Sequence, residues 1–153
     1  MKIISGGQTG VDRAALDVAL KHGIECGGWC PAGRLDEFGR IPDRYPVKEL
    51  EHGSLAERTL QNVRDSDGSL LIYLEELRGG TQFTMQCCRE FKRPHKLTDA
   101  AKKSAEEAAK SIVDFVRDRK IDILNVAGPR QSEWPSGYDY AFRVLETFLR
   151  NVA

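Results

Sequence analysis

The chain predicts an α/β protein built on a mainly parallel five-stranded sheet, and three observations carry that expectation. Short β-rich runs alternate with helix-like segments along the whole length, the pattern of parallel α/β architecture. The helix-like segments place apolar residues at three- and four-residue spacing, so each has one face to bury. Glycine-rich turns follow three of the β-rich runs, where a parallel sheet gathers its functional loops. At 153 residues the chain is about one domain long, and such a domain buries roughly 70% of the surface its unfolded chain exposes. No repeat, low-complexity tract or long linker divides it, so residues 1–153 are expected to form a single domain with one core.

The first strand is expected at Lys2 to Ile4. A helix follows at Val11 to Lys21, because Ala14, Ala15, Val18 and Ala19 share a face and Gly23 stops it. Ile24 to Cys26 is the second strand. Ser54 and Glu57 form an S-x-x-E capping box ahead of a second helix, whose apolar positions are Leu55, Leu60 and Val63 and which ends before Asp67-Gly68. Leu70 to Leu74 is the third strand. The third helix runs from Thr81 to Phe91 and stops at Arg93-Pro94, since proline disfavours helical geometry in the residue before it; His95 then opens the fourth strand, Lys96 to Leu97. Ala105, Ala108, Ala109, Ile112, Val113 and Val116 mark a fourth helix over Ala101 to Arg117. Ile123 to Val126 is the fifth strand, and Ala141, Val144, Leu145, Phe148 and Leu149 line a C-terminal helix. One connection breaks this rhythm: Gly27 to Gly53, rich in Gly, Pro, Arg and Asp, is long enough to read as a structured lid over a site.

Charge excludes several function classes. Lys and Arg number 23, and so do Asp and Glu, so no net field favours nucleic acid, an anionic membrane or an acidic partner. No apolar run approaches the roughly 18 to 20 residues of a membrane span, and the start of the chain carries no secretory signal, so a cytoplasmic protein is expected. Cys26, Cys30, Cys87 and Cys88 form no CxxC pair and His22, His52 and His95 lie scattered, so no structural metal is predicted.

In open parallel sheets, residues just beyond the carboxyl ends of strands are the functional candidates. Beyond the first strand lies Ser5-Gly6-Gly7-Gln8-Thr9-Gly10-Val11-Asp12-Arg13, in which glycines let the backbone approach an anion and the next helix presents free N–H groups. It is not a Walker A loop, since no Lys-Ser/Thr follows, and Ser5 stands where G-x-G-x-x-G needs its first glycine. No acidic residue ends the second strand to hold a ribose, so a plain NAD site is disfavoured. Beyond the third strand comes Arg78-Gly79-Gly80-Thr81, and beyond the fifth Ala127-Gly128-Pro129-Arg130 with Ser132 and Glu133. Three such loops in equivalent positions, with arginines whose planar forks suit oxyanions, point to one shared site for a small phosphorylated ligand. For the loops to meet, their strands must be neighbours, which requires an order such as 2-1-5-3-4. A circular permutation of a Rossmann-like three-layer α/β/α domain produces that order.

The segments IISGGQTGVDRAALD, CPAGR, AERTLQNVRDSDGSLLI, RGGTQFT and LNVAGPR resemble the circularly permuted YpsA-like branch of the SLOG superfamily, whose members are often labelled molybdenum cofactor carriers. The resemblance spans nearly the whole chain. It implies a Rossmann-like fold that holds a nucleotide or a molybdopterin-type cofactor, and by analogy a homo-oligomer, a dimer or tetramer. The related LONELY GUY phosphoribohydrolases carry PGGxGTxxE, whose Glu takes part in cleaving an N-glycosidic bond. Gly79 and Gly80 match the glycine pair, but Gln86 follows where that Glu would stand, and no carboxylate comes before Glu90. Gln cannot act as a general base at neutral pH. That chemistry therefore needs a carboxylate from another loop, Asp12, Glu37 or Glu133.

The candidate ligand-binding set is thus Gly6, Gly7, Gln8, Thr9, Gly10, Asp12, Arg34, Arg58, Arg78, Gly79, Gly80, Thr81, Gly128, Pro129 and Arg130, with Asp12 and Glu133 as catalytic candidates should the protein turn over. Each has a plainer reading. Asp12 complements the helix dipole; Arg34 is a solvated loop residue; Arg58 shares a helical face with Asn62, itself read as a structural contact. Asp65 and Asp67 precede a strand and read as turn formers. Trp29 and Trp134 flank two loops and either stack on a ligand ring or pack over loop backbone. Cys30 lies in the lid, where a thiolate would suit molybdenum only with further ligands. The expected function is a carrier or binding protein, with a nucleotide N-glycosidase and a nucleotide sensor as the alternatives.

Overall fold

A computed structural model describes residues 1–152. Its elements in chain order are β1 (Lys2–Ile4), α1 (Val11–Lys21), β2 (Glu25–Gly27), β3 (Trp29–Cys30), β4 (Leu35–Asp36), β5 (Gly39–Arg40), β6 (Lys48–Glu49), α2 (Leu55–Arg64), β7 (Gly68–Tyr73), α3 (Gly79–Glu90), β8 (His95–Asp99), α4 (Ala105–Asp118), β9 (Ile123–Ala127) and α5 (Gly137–Val152). Five strands make the central sheet in the order β2-β1-β9-β7-β8, and every pairing in it is parallel. The last strand in sequence therefore lies at the centre, as the meeting of three loops requires.

Strand alternation divides the core. Leu70, Ile72, Leu124 and Val126 point to one face, where they pack with α1, α4 and α5 in the main apolar cluster. On the other face α2 and α3 pack together around Val63, Cys87 and Cys88. A buried polar pair sits on the intervening positions: Asn125 Nδ2 donates to Ser69 Oγ at 3.0 Å across β9 and β7. The result is a three-layer α/β/α Rossmann-like fold.

Several boundaries differ from expectation for identifiable reasons. The fourth helix begins at Ala105 rather than Ala101, because Ser104 and Glu107 close a full capping box, Oγ accepting from Glu107 N at 3.2 Å and Oε1 accepting from Ser104 N at 3.3 Å. At Ser54 only half the expected box forms: Oγ accepts from Glu57 N at 3.2 Å. The third expected strand starts two residues early, since Gly68 already pairs with Leu124. Asp67 does more than turn the chain, for its Oδ2 accepts from Asp122 N (3.0 Å) and Ile123 N (2.8 Å), stitching the starts of β7 and β9 together.

The Gly27–Gly53 connection, expected as a lid over a site, has its own architecture and contributes no residue to the lining of the cleft between the glycine loops. β3 pairs with β6 in parallel and β4 with β5 in a hairpin. Beneath them Cys30, Ile41, Tyr45 and Val47 bury against Leu16 of α1 in a second small core. Tyr45 donates its hydroxyl hydrogen to Asp17 Oδ1 at 2.6 Å, and Tyr138 of α5 donates to Oδ2 of the same carboxylate at 2.5 Å. That burial and the Asp17 acceptor together raise the Tyr138 pKa above its usual range. Among the described residues, no helix is long and apolar enough to cross a membrane.

Candidate functional site

Because β9 lies between β1 and β7, the loops beyond these three strands meet at one sheet edge. Ser5 organises the first of them: its Oγ donates to the Asp12 carbonyl at 3.0 Å and accepts from Gly7 N at 3.3 Å. Gly10 has a positive φ of 81°, and a Cβ there would stand 2.6 Å from the Pro129 carbonyl oxygen, so only glycine lets the first and third loops touch backbone to backbone. Neither the Gly10 cap of α1 nor the Arg78 cap of α3 supplies a side-chain hydrogen bond, so both helices turn uncapped N-termini toward the loops.

The three loops and α2 enclose a cleft of about 500 Å³. The first loop and α1 contribute Gln8 and Asp12, α2 contributes Arg58, and the second loop contributes Arg78, Gly79, Gly80 and Thr81. Gly128, Pro129, Arg130 and Glu133 come from the third loop. Leu55 and Ala56 of α2 and Phe83 of α3 add apolar lining. Arg58 lies across Gly6, where a Cβ would fall 2.0 Å from its Nη1; its Nε is buried without an acceptor. Its Nη1 stands 3.7 Å from Asp12 Oδ2.

Asp12 is only 3% exposed. Loss of water raises its pKa to about 6, outweighing the Arg58 charge, the Gln8 and Gly128 amides and the Arg13 charge, all of which pull it down. Arg130 pairs with Glu133 (Nε to Oε1, 2.8 Å) and Arg78 with Glu76 (Nη2 to Oε2, 3.0 Å), both in contact with solvent.

The model of the Circularly permutated YpsA SLOG family matches residues 3–149. The chain belongs to that family. No curated protein matches this SLOG chain. Among solved structures it is similar to a crystal structure of the "Putative molybdenum carrier protein" from Syntrophus aciditrophicus SB, at 45% identity and a TM-score of 0.95, over 97% of this chain and 94% of that one.

Most residues singled out in the sequence of this SLOG protein reach the cleft, and the exceptions have clear duties elsewhere. Thr9 is buried behind the first loop; its hydroxyl donates to Glu37 Oε2 and accepts from Gln131 N at 3.1 Å. Gly6, Gly7 and Gly10 shape the loop from beneath, and the Gly7 carbonyl accepts from Arg13 Nη2 at 3.0 Å. Arg34 lies outside the cleft lining; its guanidinium donates to the carbonyls of Val47 (2.7 Å), Pro42 (2.9 Å) and Tyr45 (3.2 Å) and holds the lid together. Trp134 is buried in the main core beside Tyr140, while Trp29 Nε1 donates to Asp65 at 2.7 Å and so faces away from the cleft. Asn62 holds the Trp29 backbone through both N and O, the structural contact expected of it. Cys30 is fully buried in the lid core, and Gln86 is exposed; neither lines the cleft.

Two features went unread in the sequence. Glu37, weighed only as a spare carboxylate, joins lid to loops: its N–H donates to Gln8 Oε1 at 2.9 Å and its Oε2 accepts from Ser132 N at 3.2 Å. Desolvation pushes its carboxyl up, but hydrogen bonds from the Ser132 and Thr9 hydroxyls and the Ser132 amide, with the nearby Arg130 charge, outweigh it and hold the pKa below the ordinary glutamate value. Nothing local marks it, because its position depends on how the β4–β5 hairpin folds back. The apolar lining did leave a signal, since Leu55 opens the helix that carries Arg58 and Phe83 lies one turn into the helix that Gly79 and Gly80 open.

Proposed function

We propose that the protein is a carrier that binds a small phosphorylated ligand, a nucleotide or a molybdopterin-type cofactor, with its anionic group held among the loops beyond β1, β7 and β9. The observation that carries this reading is the convergence of two uncapped helix N-termini and the Arg58, Arg78 and Arg130 side chains on one cleft. The Leu55, Ala56 and Phe83 lining suits a flat ring attached to that group. The donor set is one of amides and guanidinium groups, which suits oxyanion oxygens; no cysteine lines the cleft to hold a bare soft metal. If molybdenum is the cargo, it travels as part of an anionic ligand.

Native mass spectrometry of protein purified without added ligand, followed by denaturing release and phosphate and molybdenum analysis, tests this. A released pterin with molybdenum supports the carrier, a released nucleotide replaces it with a nucleotide-binding protein, and the same spectrum reports whether two or four chains assemble. Empty protein that also fails to bind nucleoside monophosphates, phosphate or molybdate in titrations overturns the reading. The N-glycosidase alternative rests on one observation, a buried Asp12 with a pKa near neutrality in the cleft. Release of free base from added nucleoside monophosphates, lost in Asp12→Asn, would establish it instead.

A further inference from the structure

Asp12 is the only carboxylate buried among the three anion-directed loops in the described residues, and it takes hydrogen bonds from backbone amides but none from an arginine. Arg58 reaches it from α2 at 3.7 Å, beyond hydrogen-bond length. Arg13, on its own helix, is directed instead to the Gly7 carbonyl and to Asp36 at 2.7 Å. From the loop beyond β9 it meets the Gly128 amide, and from the first loop the Gln8 amide. Across the cleft Arg130 is engaged with Glu133, and Arg78 at the start of α3 with Glu76. Arg58 keeps one buried N–H without an acceptor.

An oxyanion seated on Arg58 therefore lies beside the Asp12 carboxylate as well. Carboxylate and ionised oxyanion are both acceptor-only, and two such oxygens facing each other out of water repel unless a proton lies between them. The geometry points to proton-linked anion capture: the complex holds one proton between the Asp12 carboxyl and the nearest ligand oxygen, so a fully ionised oxyanion binds with uptake of one proton, whereas an oxyanion that brings its own proton needs none. This rests on the cleft being an anion site, and it adds a selectivity that arginines and amides alone do not confer. Burial already raises the Asp12 pKa to about 6, so the carboxyl takes that proton near neutral pH. Any ligand class that fits must offer a protonatable oxygen at this position or pay for the proton as pH rises.

Sulfate and inorganic phosphate are matched probes from about pH 7.5 to pH 9, where both are tetrahedral dianions but hydrogen phosphate keeps a proton and sulfate has none to give. Affinities across that range are read by backbone amide NMR shifts of Gln8, Gly79 and Gly80, and proton uptake by calorimetry in two buffers of different ionisation enthalpy. The expected result is sulfate affinity falling about tenfold per pH unit above pH 6 with about one proton taken up per sulfate, while phosphate affinity changes less than about threefold. In Asp12→Asn the sulfate slope disappears and the two anions bind within about threefold of each other. Sulfate binding that is flat with pH in the native protein, or a slope that survives in Asp12→Asn, overturns the inference; the native slopes decide even if that variant does not fold. Failure of both anions to bind at any pH removes the anion reading of the cleft, and proton linkage with it.

Discussion

Arg58 owes its place over the first loop to the absence of a side chain at residue 6. A Cβ on Gly6 would fall 2.0 Å from Arg58 Nη1, and the atoms in the way belong to the far end of a flexible side chain. Gly6→Ala should therefore swing Arg58 out without unfolding the protein, lowering phosphate affinity about tenfold, the scale of one charge-assisted hydrogen bond, with a melting temperature close to native. Calorimetry and thermal unfolding on the same sample check both parts; unchanged affinity would mean Arg58 does not meet the ligand. Asp12 makes a separate prediction about stability. Its folded pKa of about 6 lies above the value of 3.8 for the free group, so the folded state holds the proton more tightly. The stabilisation is fully present below about pH 3.8 and is lost as pH rises through about 6. Relative to Asp12→Asn, the native protein should lose about 3 kcal/mol between those limits, read by urea unfolding at each pH. A constant difference would place the Asp12 carboxyl at an ordinary pKa. Both residues were legible as candidates from position alone, one after a strand and one in the first turns of a helix. That they stand within 4 Å of each other was not, since it depends on how α2 crosses the first loop.

At the scale of elements, regular helices could be read and the lid interior could not. Val11 to Lys21 shows its apolar stripe in the sequence and forms α1 with those bounds. β3, β4, β5 and β6 are two residues each, too short for any periodicity to register, and their order comes from Tyr45 burying against α1 and from Arg34 gathering carbonyls. Arg34 thus belongs to the lid rather than to the cleft. Arg34→Met keeps the length of the side chain and removes its donors, leaving the Val47, Pro42 and Tyr45 carbonyls unpaired. The expected cost is about 1–3 kcal/mol, concentrated in the lid, with trypsin cutting after Arg40 or Arg44 at least about tenfold faster at native temperature. Phosphate affinity should change less than about threefold, in contrast to Gly6→Ala. A cleavage rate equal to the native one would mean the Asp17–Tyr45 anchor holds the lid without Arg34.

The whole molecule depends on its last strand. β9 pairs with β1 through Lys2 and Ile123 on one side and with β7 through Gly68 and Leu124 on the other, so it joins the halves of the sheet and brings the three loops together. This order was legible because the site demanded it: loops separated by most of the chain share a ligand only if their strands are neighbours, and no local propensity in Ile123 to Ala127 says so. The same arrangement makes folding late. β1 cannot gain its inner partner until residues more than a hundred positions away have been added, and such non-local pairing is slow to form. A fragment of residues 1–118 should therefore fail to fold although it holds four of the five sheet strands. It lacks the strand between β1 and β7, and α1 and α4 lose the α5 surface that buries Val144, Leu145 and Phe148. Circular dichroism should show residual helix with no cooperative urea transition, and amide NMR should lack dispersed β signals. A fragment that unfolds cooperatively would mean that β1 and β7 can close on each other, and that β9 is needed to build the cleft but not the fold.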